Sequence, residues 1–578
     1  MIKTLMKSIR EYKKQSILAP AFVALEVIME VIIPFLMAKL IDDGIYAGNM
    51  SVIYKIGLTL VISAIMSLIF GVLSGKFAAT ASAGFAKNLR KDMYYNVQNF
   101  SFGNIDKFST SSIVTRLTTD VTNLQQAYQM IIRIAVRSPL MLISALIMSM
   151  NINVRLSLIF LILLPIIGIG LFFITKKAHP IFEKVFKTYD KLNNVALENV
   201  RGIRVVKSYV LEDEEKKKFG KVSDEIYRLF TKAETIVAFV SPLMQFAIYT
   251  CIILISWFGA RIIVNTHMAD LTTGQLTSLI TYTTQILMSL MMFSMIFVMI
   301  TISRASAERI VEIINERTDL SNPENPIKEV KTGDIEFKDV SFSYVKDKKK
   351  LCLKDINLKI KSGETVGIIG GTGSSKTSLI QLIPRLYDVT EGAVLVSGND
   401  VKKYDLETLR NSVAVVLQKN VLFSGTIKEN LKWGNKDASD EEIKRVCKLA
   451  KADEFIESFP DKYDTYIEQD GTNVSGGQKQ RLCIARALLK KPKILILDDS
   501  TSAVDTKTDS LIRKAFREEI PDTTKIIIAQ RINSVQDADK IIVMDNGKIN
   551  AVGTHEELLE NNEIYREVYS SQMKGADK

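Results

Sequence analysis

The 578-residue sequence predicts two fold classes in one chain, an α-helical membrane domain followed by an α/β domain. Six long apolar stretches lie in the first part of the chain, and they raise the mean hydropathy slightly above zero. The last part instead alternates short β-branched runs with polar helical segments. We therefore predict a membrane domain at 1–318, a linker rich in Pro, Asn and Ser at 319–330, and the α/β domain at 331–578.

Each apolar stretch can cross a hydrocarbon core of roughly 30 Å, which takes about 20 residues of helix. The predicted spans are 16–38, Ile56–Gly75, Ser138–Val154, Leu156–Thr175, Thr235–Ala260 and Leu271–Ser303. The third is short, and we expect its helix to begin earlier and to include Arg133 and Arg137. The sixth is longer than a bilayer requires, so we expect it to continue as helix beyond the membrane.

The loops between the spans predict the orientation of the chain. Lys and Arg crowd the long segments 76–137 and 176–234, whereas the loops 39–55, 150–155 and 261–270 are short and poor in basic residues. Because basic loops stay on the cytoplasmic side, both termini and the α/β domain are predicted to be cytoplasmic. The basic start runs into an apolar stretch without a small-residue cleavage site, which predicts a retained first span. The sequence thus predicts a multi-pass protein of the cell membrane, plasma or inner.

Charge and cysteine content exclude other classes of partner. The net charge of +11 is concentrated around the apolar segments without interleaved aromatic residues, which favours contact with the lipid bilayer over binding of nucleic acid. The chain has four cysteines, far apart, and three histidines, and their spacing matches no metal-ligand pattern.

A glycine-rich turn between a predicted strand and a predicted helix is the first chemical motif of the α/β domain. Its residues are Gly370, Gly371, Thr372, Gly373, Ser374, Ser375, Lys376, Thr377 and Ser378. Backbone amides of such a loop cradle phosphates, a lysine reaches the β and γ phosphates, and a hydroxyl ligates Mg²⁺. Ser375 stands where this motif has its last glycine, and we expect the added side chain to alter the geometry of the loop.

The second motif lies about 120 residues later, where the apolar run Lys493–Asp498 predicts a buried strand that ends in a carboxylate. A carboxylate at this position organises Mg²⁺ in P-loop proteins and is known as the Walker B aspartate. Between the two motifs lies Val474–Arg481, and Thr501–Asp505 follows the strand.

With these motifs the chain resembles, over nearly its whole length, an ATP-binding cassette (ABC) exporter half of the bacterial multidrug type. Such a half joins six spans of the type I exporter fold to one nucleotide-binding domain. The resemblance implies bound ATP and Mg²⁺, a Tyr344 ring that stacks on adenine, and a Gln418 that contacts Mg²⁺ and senses the spans. It also implies a signature motif, a D-loop that ends at Asp505, and two nucleotide domains that close head to tail over shared ATP molecules. The signature residues, which would contact the partner's ATP, are Ser475, Gly476, Gly477 and Gln478.

Two residues depart from the family's catalytic pattern. Asp499 follows Asp498 where the family has glutamate, and Gln530 stands where the family has histidine. A carboxylate one methylene shorter is displaced from the attacking water, and a shift of about 1 Å can cost roughly a hundredfold in rate. Glutamine can still donate a hydrogen bond, so we expect ATP binding to survive while hydrolysis falls.

The segment before the signature, Ile467–Gly471, also departs from the family pattern, whereas the signature itself is nearly ordinary. We therefore predict a heterodimer with a second ABC half-transporter that carries the catalytic glutamate and the switch histidine. This chain would bind ATP at a degenerate site and complete the partner's catalytic site with its own signature.

Polar and flexible side chains in the predicted spans suggest a substrate cavity. Glu26 and Glu30 lie one helical turn apart, either as contacts for cationic substrates or protons, or as a structural pair bonded to neighbouring helices, with Arg133 and Arg137 as candidate partners. Methionines recur at helical spacing in the sixth span and suit either a polyspecific cavity or plain helix packing. They are Met288, Met292, Met295 and Met299.

The function predicted from the sequence is ATP-driven export of small amphipathic molecules. The resemblance further implies two short coupling helices, near 102–110 and 201–207, that dock on the nucleotide-binding domains. A lipid or peptide exporter remains an alternative, as does an ATP-gated channel or sensor, for which weak hydrolysis would suffice. An importer is less expected, since its membrane and ATPase parts are usually separate chains.

Overall fold

The structure is a computed structural model that describes residues 1–500 and 503–576. Thr501 and Ser502, at the start of the predicted D-loop segment, lie outside the described residues. The chain divides into two compact units. The membrane unit comprises Met1–Gln98 and Thr110–Glu316, and the nucleotide unit comprises Asn99–Ser109 and Arg317–Lys578. The domain boundaries at 318 and 331 stay a prediction.

The membrane unit is entirely helical in its regular structure. Its α-helices are α1 Ile2–Lys7, α2 Lys13–Lys39, α3 Met50–Gln98, α5 Thr110–Thr115, α6 Val121–Ile152, α7 Val154–Arg201, α8 Ile203–Ser208, α9 Glu212–Ala238, α10 Val240–Asn265 and α11 Thr273–Asn315. The helix α4, Phe102–Lys107, belongs to the nucleotide unit. A 3-10 turn at Arg10–Tyr12 and π-helical turns at Leu40–Tyr46 and Arg116–Asp120 connect some of these helices.

Six helical segments of the described chain are long and apolar enough to cross a membrane. They are Arg10–Tyr46, Met50–Gln98, Thr110–Ile152, Val154–Arg201, Glu212–Asn265 and Thr273–Phe293. The six-span prediction is therefore confirmed. The helix α3 has 49 residues and a length of about 74 Å, so it extends well beyond a hydrocarbon core of roughly 30 Å.

Helix ends in the membrane unit follow the local sequence. The predicted third span runs to Val154, but the helix stops at Ile152, because Asn153 has an extended backbone. The Asn153 side chain instead caps α7 by accepting a hydrogen bond from the Leu156 amide at 3.1 Å. Thr272 and Gln275 form a reciprocal capping box that starts α11. That helix continues to Asn315, beyond the apolar stretch, as expected.

The strands of the nucleotide unit are β1 Ile335–Phe342, β2 Leu353–Ile360, β3 Thr365–Gly370, β4 Glu391–Val396, β5 Asn399–Asp400, β6 Val413–Val416, β7 Gly425–Thr426, β8 Tyr466–Ile467, β9 Ile494–Asp498, β10 Thr524–Ile528, β11 Lys540–Asp545 and β12 Lys548–Gly553. Six of them form a mainly parallel sheet in the order β12-β11-β3-β10-β9-β6, in which only the β11–β12 pair is antiparallel. An antiparallel sheet has the order β2-β1-β4-β5, and β7 pairs with β8.

The remaining helices of this unit are α12 Lys376–Gln381, α13 Leu406–Ser412, α14 Ile427–Lys432, α15 Asp440–Leu449, α16 Asp453–Ser458, α17 Gly476–Leu489, α18 Thr506–Glu519, α19 His555–Asn561 and α20 Glu563–Ala576. Every residue of β9 and of β10 is buried, as expected for strands covered on both faces. The carboxyl ends of β3, β6, β9 and β10 lie at the same edge of the sheet, where ligands bind in open α/β folds.

Two short helices lie where coupling helices were predicted. The helix α4 belongs to the nucleotide unit, where Tyr387 donates a hydrogen bond of 2.6 Å to Asp106 and Asn104 donates one of 3.1 Å to the Arg317 carbonyl. The helix α8 belongs to the membrane unit. Their role in transmitting closure stays a prediction.

Candidate nucleotide-binding site

The loop from Gly370 to Ser375 joins β3 to α12 at the carboxyl edge of the parallel sheet. A Cβ atom on Gly370 would lie 2.2 Å from the Met544 carbonyl oxygen, so only glycine fits there. Gly373 has a φ of +86°, in the left-handed region that favours glycine. The predicted residues Gly371, Thr372 and Ser374 lie in the same loop. Its tight turn brings backbone amides together, as a phosphate-binding loop requires.

Ser375 has a left-handed backbone conformation, which glycine adopts without strain. Its φ of 69° and ψ of 26° place it in the left-handed region, directly before α12. For a residue with a Cβ atom, the left-handed conformation costs roughly 1–2 kcal/mol. The serine therefore carries backbone strain, and an altered loop geometry stays a prediction.

Lys376 lies inside this loop. Its ammonium group donates hydrogen bonds to the carbonyls of Gly370 at 2.7 Å and Gly371 at 2.9 Å, and to the Ser374 hydroxyl at 3.3 Å. Burial lowers the pKa of Lys376, while the carboxylates of Asp498 and Asp499 act in the opposite direction. The positive charge of Lys376 therefore lies where the terminal phosphate of a bound nucleotide would contact it.

Thr377 and Asp498 meet at the start of α12 and the end of β9. The Thr377 hydroxyl lies 3.0 and 3.2 Å from the two carboxylate oxygens of Asp498, whose residue is only 2% exposed. Burial raises the pKa of Asp498, and the hydrogen bond from Thr377 opposes this effect. One hydroxyl and one carboxylate are the oxygen ligands that Mg²⁺ takes beside phosphate, so this pair fits the metal.

The two unusual residues, Asp499 and Gln530, contact each other. The Gln530 side-chain amide donates a hydrogen bond of 2.8 Å to Asp499 Oδ2. Burial raises the pKa of Asp499, whereas hydrogen bonds from Gln530 and Gln418 lower it. Asp499 also has a φ of 48°, a left-handed conformation that aspartate adopts more often than most residues. The Q-loop residue, the Walker B neighbour and the switch residue therefore form one hydrogen-bonded group.

Tyr344 lies beside the helix that follows the loop. Its hydroxyl is hydrogen-bonded to Ser378 at 2.9 Å and lies 3.2 Å from the Gln381 side-chain oxygen. The residue is 47% exposed, and its ring meets Tyr387 edge-on at 5.1 Å between centroids. An aromatic ring next to the phosphate loop is thus available for stacking on a base.

The signature residues belong to a different part of the unit. Ser475 caps α17, since its hydroxyl accepts from the Gln478 amide while the Gln478 side chain accepts from the Ser475 amide. Gly476 and Gly477 open the helix, and a Cβ on Gly477 would lie 2.8 Å from the carbonyl oxygen of Ala503 in the D-loop. The signature therefore packs against the D-loop of its own chain.

Asp505 caps the helix after the D-loop by accepting a hydrogen bond of 2.9 Å from the Thr508 amide. This backbone hydrogen bond holds the pKa of Asp505 below its usual range.

One residue that sequence reasoning missed contacts the switch loop. Gln572, on the C-terminal helix α20, donates to the Gln530 carbonyl at 2.8 Å and accepts from the Ile532 amide at 2.9 Å. No motif marks it, and the only signal in the sequence is its place in an amphipathic helix.

The acidic pair of the membrane unit has one basic partner. Arg137 on α6 reaches Glu26 at 2.5 Å and Glu30 at 2.7 Å, both on α2. A Cβ on Gly71 of α3 would lie 3.1 Å from the Glu26 carboxylate, so three helices meet at this cluster. The ion pairs favour the structural interpretation of Glu26 and Glu30 over the substrate contact.

The methionines of the sixth span lie on one face of α11, outside the core of the membrane unit. Met288, Met292 and Met295 are 49%, 41% and 65% exposed, and Met299 is half-buried. Among the described residues, none of the four belongs to a buried core cluster, and a role in a substrate cavity stays a prediction.

Comparisons with known proteins show the family of this chain. A family model described as ABC transporter transmembrane region matches residues 16–290, and one described as ABC transporter matches residues 353–502. YfiB of Bacillus subtilis (strain 168), an uncharacterized ABC transporter ATP-binding protein, is 36% identical over 98% of this chain and 99% of its own length.

Two further matches extend the comparison. YgaD of the same organism is 31% identical over 99% of both chains, and its name proposes a role as a multidrug export ATP-binding/permease protein. A solved structure of a bacterial Atm1-family ABC exporter with ATP bound has a TM-score of 0.82 and 23% identity. It covers 97% of this chain and 98% of the other, and it shows the shared fold.

Proposed function

Since the chain belongs to the ABC transporter family, we propose that it is one subunit of a heterodimeric ATP-driven exporter whose own ATP site is degenerate. Gly370 to Ser378 bind the phosphates, and Tyr344 stacks on the adenine. Thr377, Gln418 and Asp498 hold Mg²⁺, which neutralises phosphate charge when bound. Ser475 to Gln478 contact the ATP of the partner.

The hydrogen bond between Gln530 and Asp499 is the observation that carries this proposal. In a competent site, one carboxylate positions the attacking water and one switch side chain contacts the γ phosphate. Here Asp499, whose carboxylate is one methylene shorter than that of glutamate, accepts hydrogen bonds from Gln530 and Gln418. Such an arrangement supports ATP binding with slow hydrolysis.

The signature motif of this chain is close to the family pattern, which supports pairing with a partner of a different sequence. A homodimer would contain two sites with Asp499 and Gln530, so neither would hydrolyse ATP efficiently. A partner with glutamate and histidine at the corresponding positions forms one competent site with the signature of this chain. ATP-driven closure of the two nucleotide domains then favours the outward-facing state, and hydrolysis at the partner's site resets it.

The transported molecules are proposed to be small amphipathic compounds. The name of YgaD supports multidrug export, and the exposed methionines of α11 offer adaptable apolar contacts. The basic residues of segments 76–137 and 176–234 support a cytoplasmic location for the nucleotide unit and both termini of this cell-membrane protein.

Hydrolysis by the purified full-length chain in nanodiscs tests the degenerate site. We expect the wild type to bind ATP but to hydrolyse it very slowly, and Asp499→Glu combined with Gln530→His to raise turnover by about a hundredfold. The control is Asp499→Asn, which we expect to leave the low wild-type rate unchanged. Robust turnover by the wild-type chain alone, lost in Asp499→Asn, would contradict the proposal.

Reconstitution with a candidate partner tests the assembly. We expect a half-transporter with the catalytic glutamate and switch histidine to copurify with this chain and to hydrolyse ATP. Substituting the partner's glutamate should stop that activity. Uphill transport into vesicles identifies the pair as a pump, whereas passive conductance would identify an ATP-gated channel.

A further inference from the structure

Gln572 on the C-terminal helix α20 forms hydrogen bonds with the switch loop. Its amide nitrogen donates to the Gln530 carbonyl, and its amide oxygen accepts from the Ile532 amide. One planar amide therefore pairs with two main-chain groups that flank Arg531, much as a neighbouring strand would. The pairing uses both the donor NH₂ group and the acceptor oxygen of the glutamine amide.

The segment that Gln572 holds is the short connection between two fixed elements. The strand β10 ends at Ile528, and a 3-10 turn begins at Ile532, whose side chain is fully buried. Ser534 in that turn donates a hydrogen bond of 2.9 Å to Asp509. The Gln530 carbonyl accepts a hydrogen bond from Gln572, and the Ile532 amide donates one to it, so the main chain is held at both residues. The Gln530 side chain donates to Asp499.

The helix α20 is itself anchored to the core of the nucleotide unit. Tyr565 is fully buried, and its hydroxyl is hydrogen-bonded to His555 at 2.7 Å. Gln572 lies seven residues further on, which places it on the same face of the helix. The anchor and the contact with the switch loop thus belong to one rigid element.

We propose that Gln572 is a positioning residue, which fixes the main chain of the switch loop so that only the Gln530 side chain exchanges partners. With ATP bound, that side chain leaves Asp499 for the γ phosphate; ADP offers no such partner. Gln572 thereby contributes to the preference of this site for ATP over ADP. The inference rests on the proposed role of Gln530 at the γ phosphate.

The ratio of the dissociation constants for ADP and ATP tests this role. It is measured on the full-length chain in nanodiscs by displacement of trinitrophenyl-ATP. In Gln572→Ala we expect the ratio to fall by about tenfold, since the loop loses two hydrogen bonds. The affinity for ADP should stay unchanged. The affinity for ADP also reports whether the variant is folded, because a general loss of structure would weaken the binding of both nucleotides.

Matched variants isolate the side chain. Ser571→Ala changes the exposed neighbour on α20 and should leave the ratio unchanged. A chain ending at Gln572 should keep the wild-type ratio, whereas a chain ending at Ser571 should behave like Gln572→Ala. An unchanged ratio in Gln572→Ala, beside a reduced ratio in Gln530→Ala, would overturn the inference and leave the proposed function intact. An unchanged ratio in both variants would overturn the γ-phosphate role of Gln530 as well.

Discussion

In each unit of the chain, a pair of acidic residues lies near a basic residue, but the bonding of that basic residue differs. In the membrane unit, Arg137 bonds directly to both Glu26 and Glu30. In the nucleotide unit, Lys376 bonds to loop carbonyls, and the carboxylates of Asp498 and Asp499 accept hydrogen bonds from neutral side chains.

The difference shows how the same charges serve two purposes. In the membrane cluster, ion pairs neutralise the charges inside the protein, as burial between helices requires. In the nucleotide cluster, the charged groups are hydrogen-bonded to neutral groups and stay available for a ligand; the proposed ligands are a phosphate for Lys376 and a metal for Asp498. The first cluster is therefore suited to hold helices together, and the second to bind a ligand.

Removing the basic residue of the membrane cluster has the largest expected effect. In Arg137→Gln, Glu26 and Glu30 lose their only ion-pair partner among the described residues. Breaking such a buried pair costs about 3–5 kcal/mol. We expect a strongly lowered thermal midpoint of the purified chain in nanodiscs, or failure to accumulate in the membrane.

Two variants decide whether charge is the cause. Arg133→Gln removes a basic residue one turn away on α6 and should have a much smaller effect. The triple variant with Gln at 26, 30 and 137 removes all three charges and should recover most of the stability. If the triple variant is as unstable as Arg137→Gln alone, unpaired charge is not the cause, and the ion pairs do not explain the stability of the membrane cluster.

Removing a charge from the nucleotide cluster should affect binding and spare stability. Asp498→Asn keeps the shape of the side chain but removes the carboxylate that is proposed to bind Mg²⁺, so we expect ATP affinity with Mg²⁺ to fall by about a hundredfold. With EDTA the variant and the wild type should bind ATP almost equally. Without nucleotide, the thermal midpoint should be at least that of the wild type, because a buried charge is gone. A marked loss of stability would show that this cluster, too, is structural.

The sequence predicted which residues meet in the nucleotide cluster far better than it predicted the partners in the membrane cluster. Phosphate and Mg²⁺ require particular side chains at fixed distances along the chain, so Lys376 and Asp498 stand in recognisable motifs. The partner of Glu26 lies 111 residues away and is selected by helix packing, so Arg137 could be named only as one of two candidates. Gln572 could not be predicted, because many polar side chains can bond to a main chain, and no spacing links it to Ile532, 40 residues earlier.

The smallest expected effect comes from the backbone of the phosphate loop. Ser375 has a φ of 69°, a conformation that costs a residue with a Cβ roughly 1–2 kcal/mol and costs glycine little. Ser375→Gly should therefore raise the thermal midpoint of the nucleotide unit by a few degrees at most, about 2–4 °C per kcal/mol.

Ser375→Ala is the matched control, because it removes the hydroxyl and keeps the Cβ. If backbone strain is the cause, the alanine variant should resemble the wild type and only glycine should be stabilising. Tighter ATP binding in the glycine variant would further show that the strain opposes the nucleotide-bound loop. Equal effects of both substitutions would assign the change to the hydroxyl group. In that case the loop, like the membrane cluster, would owe its shape to side-chain bonding and not to the backbone.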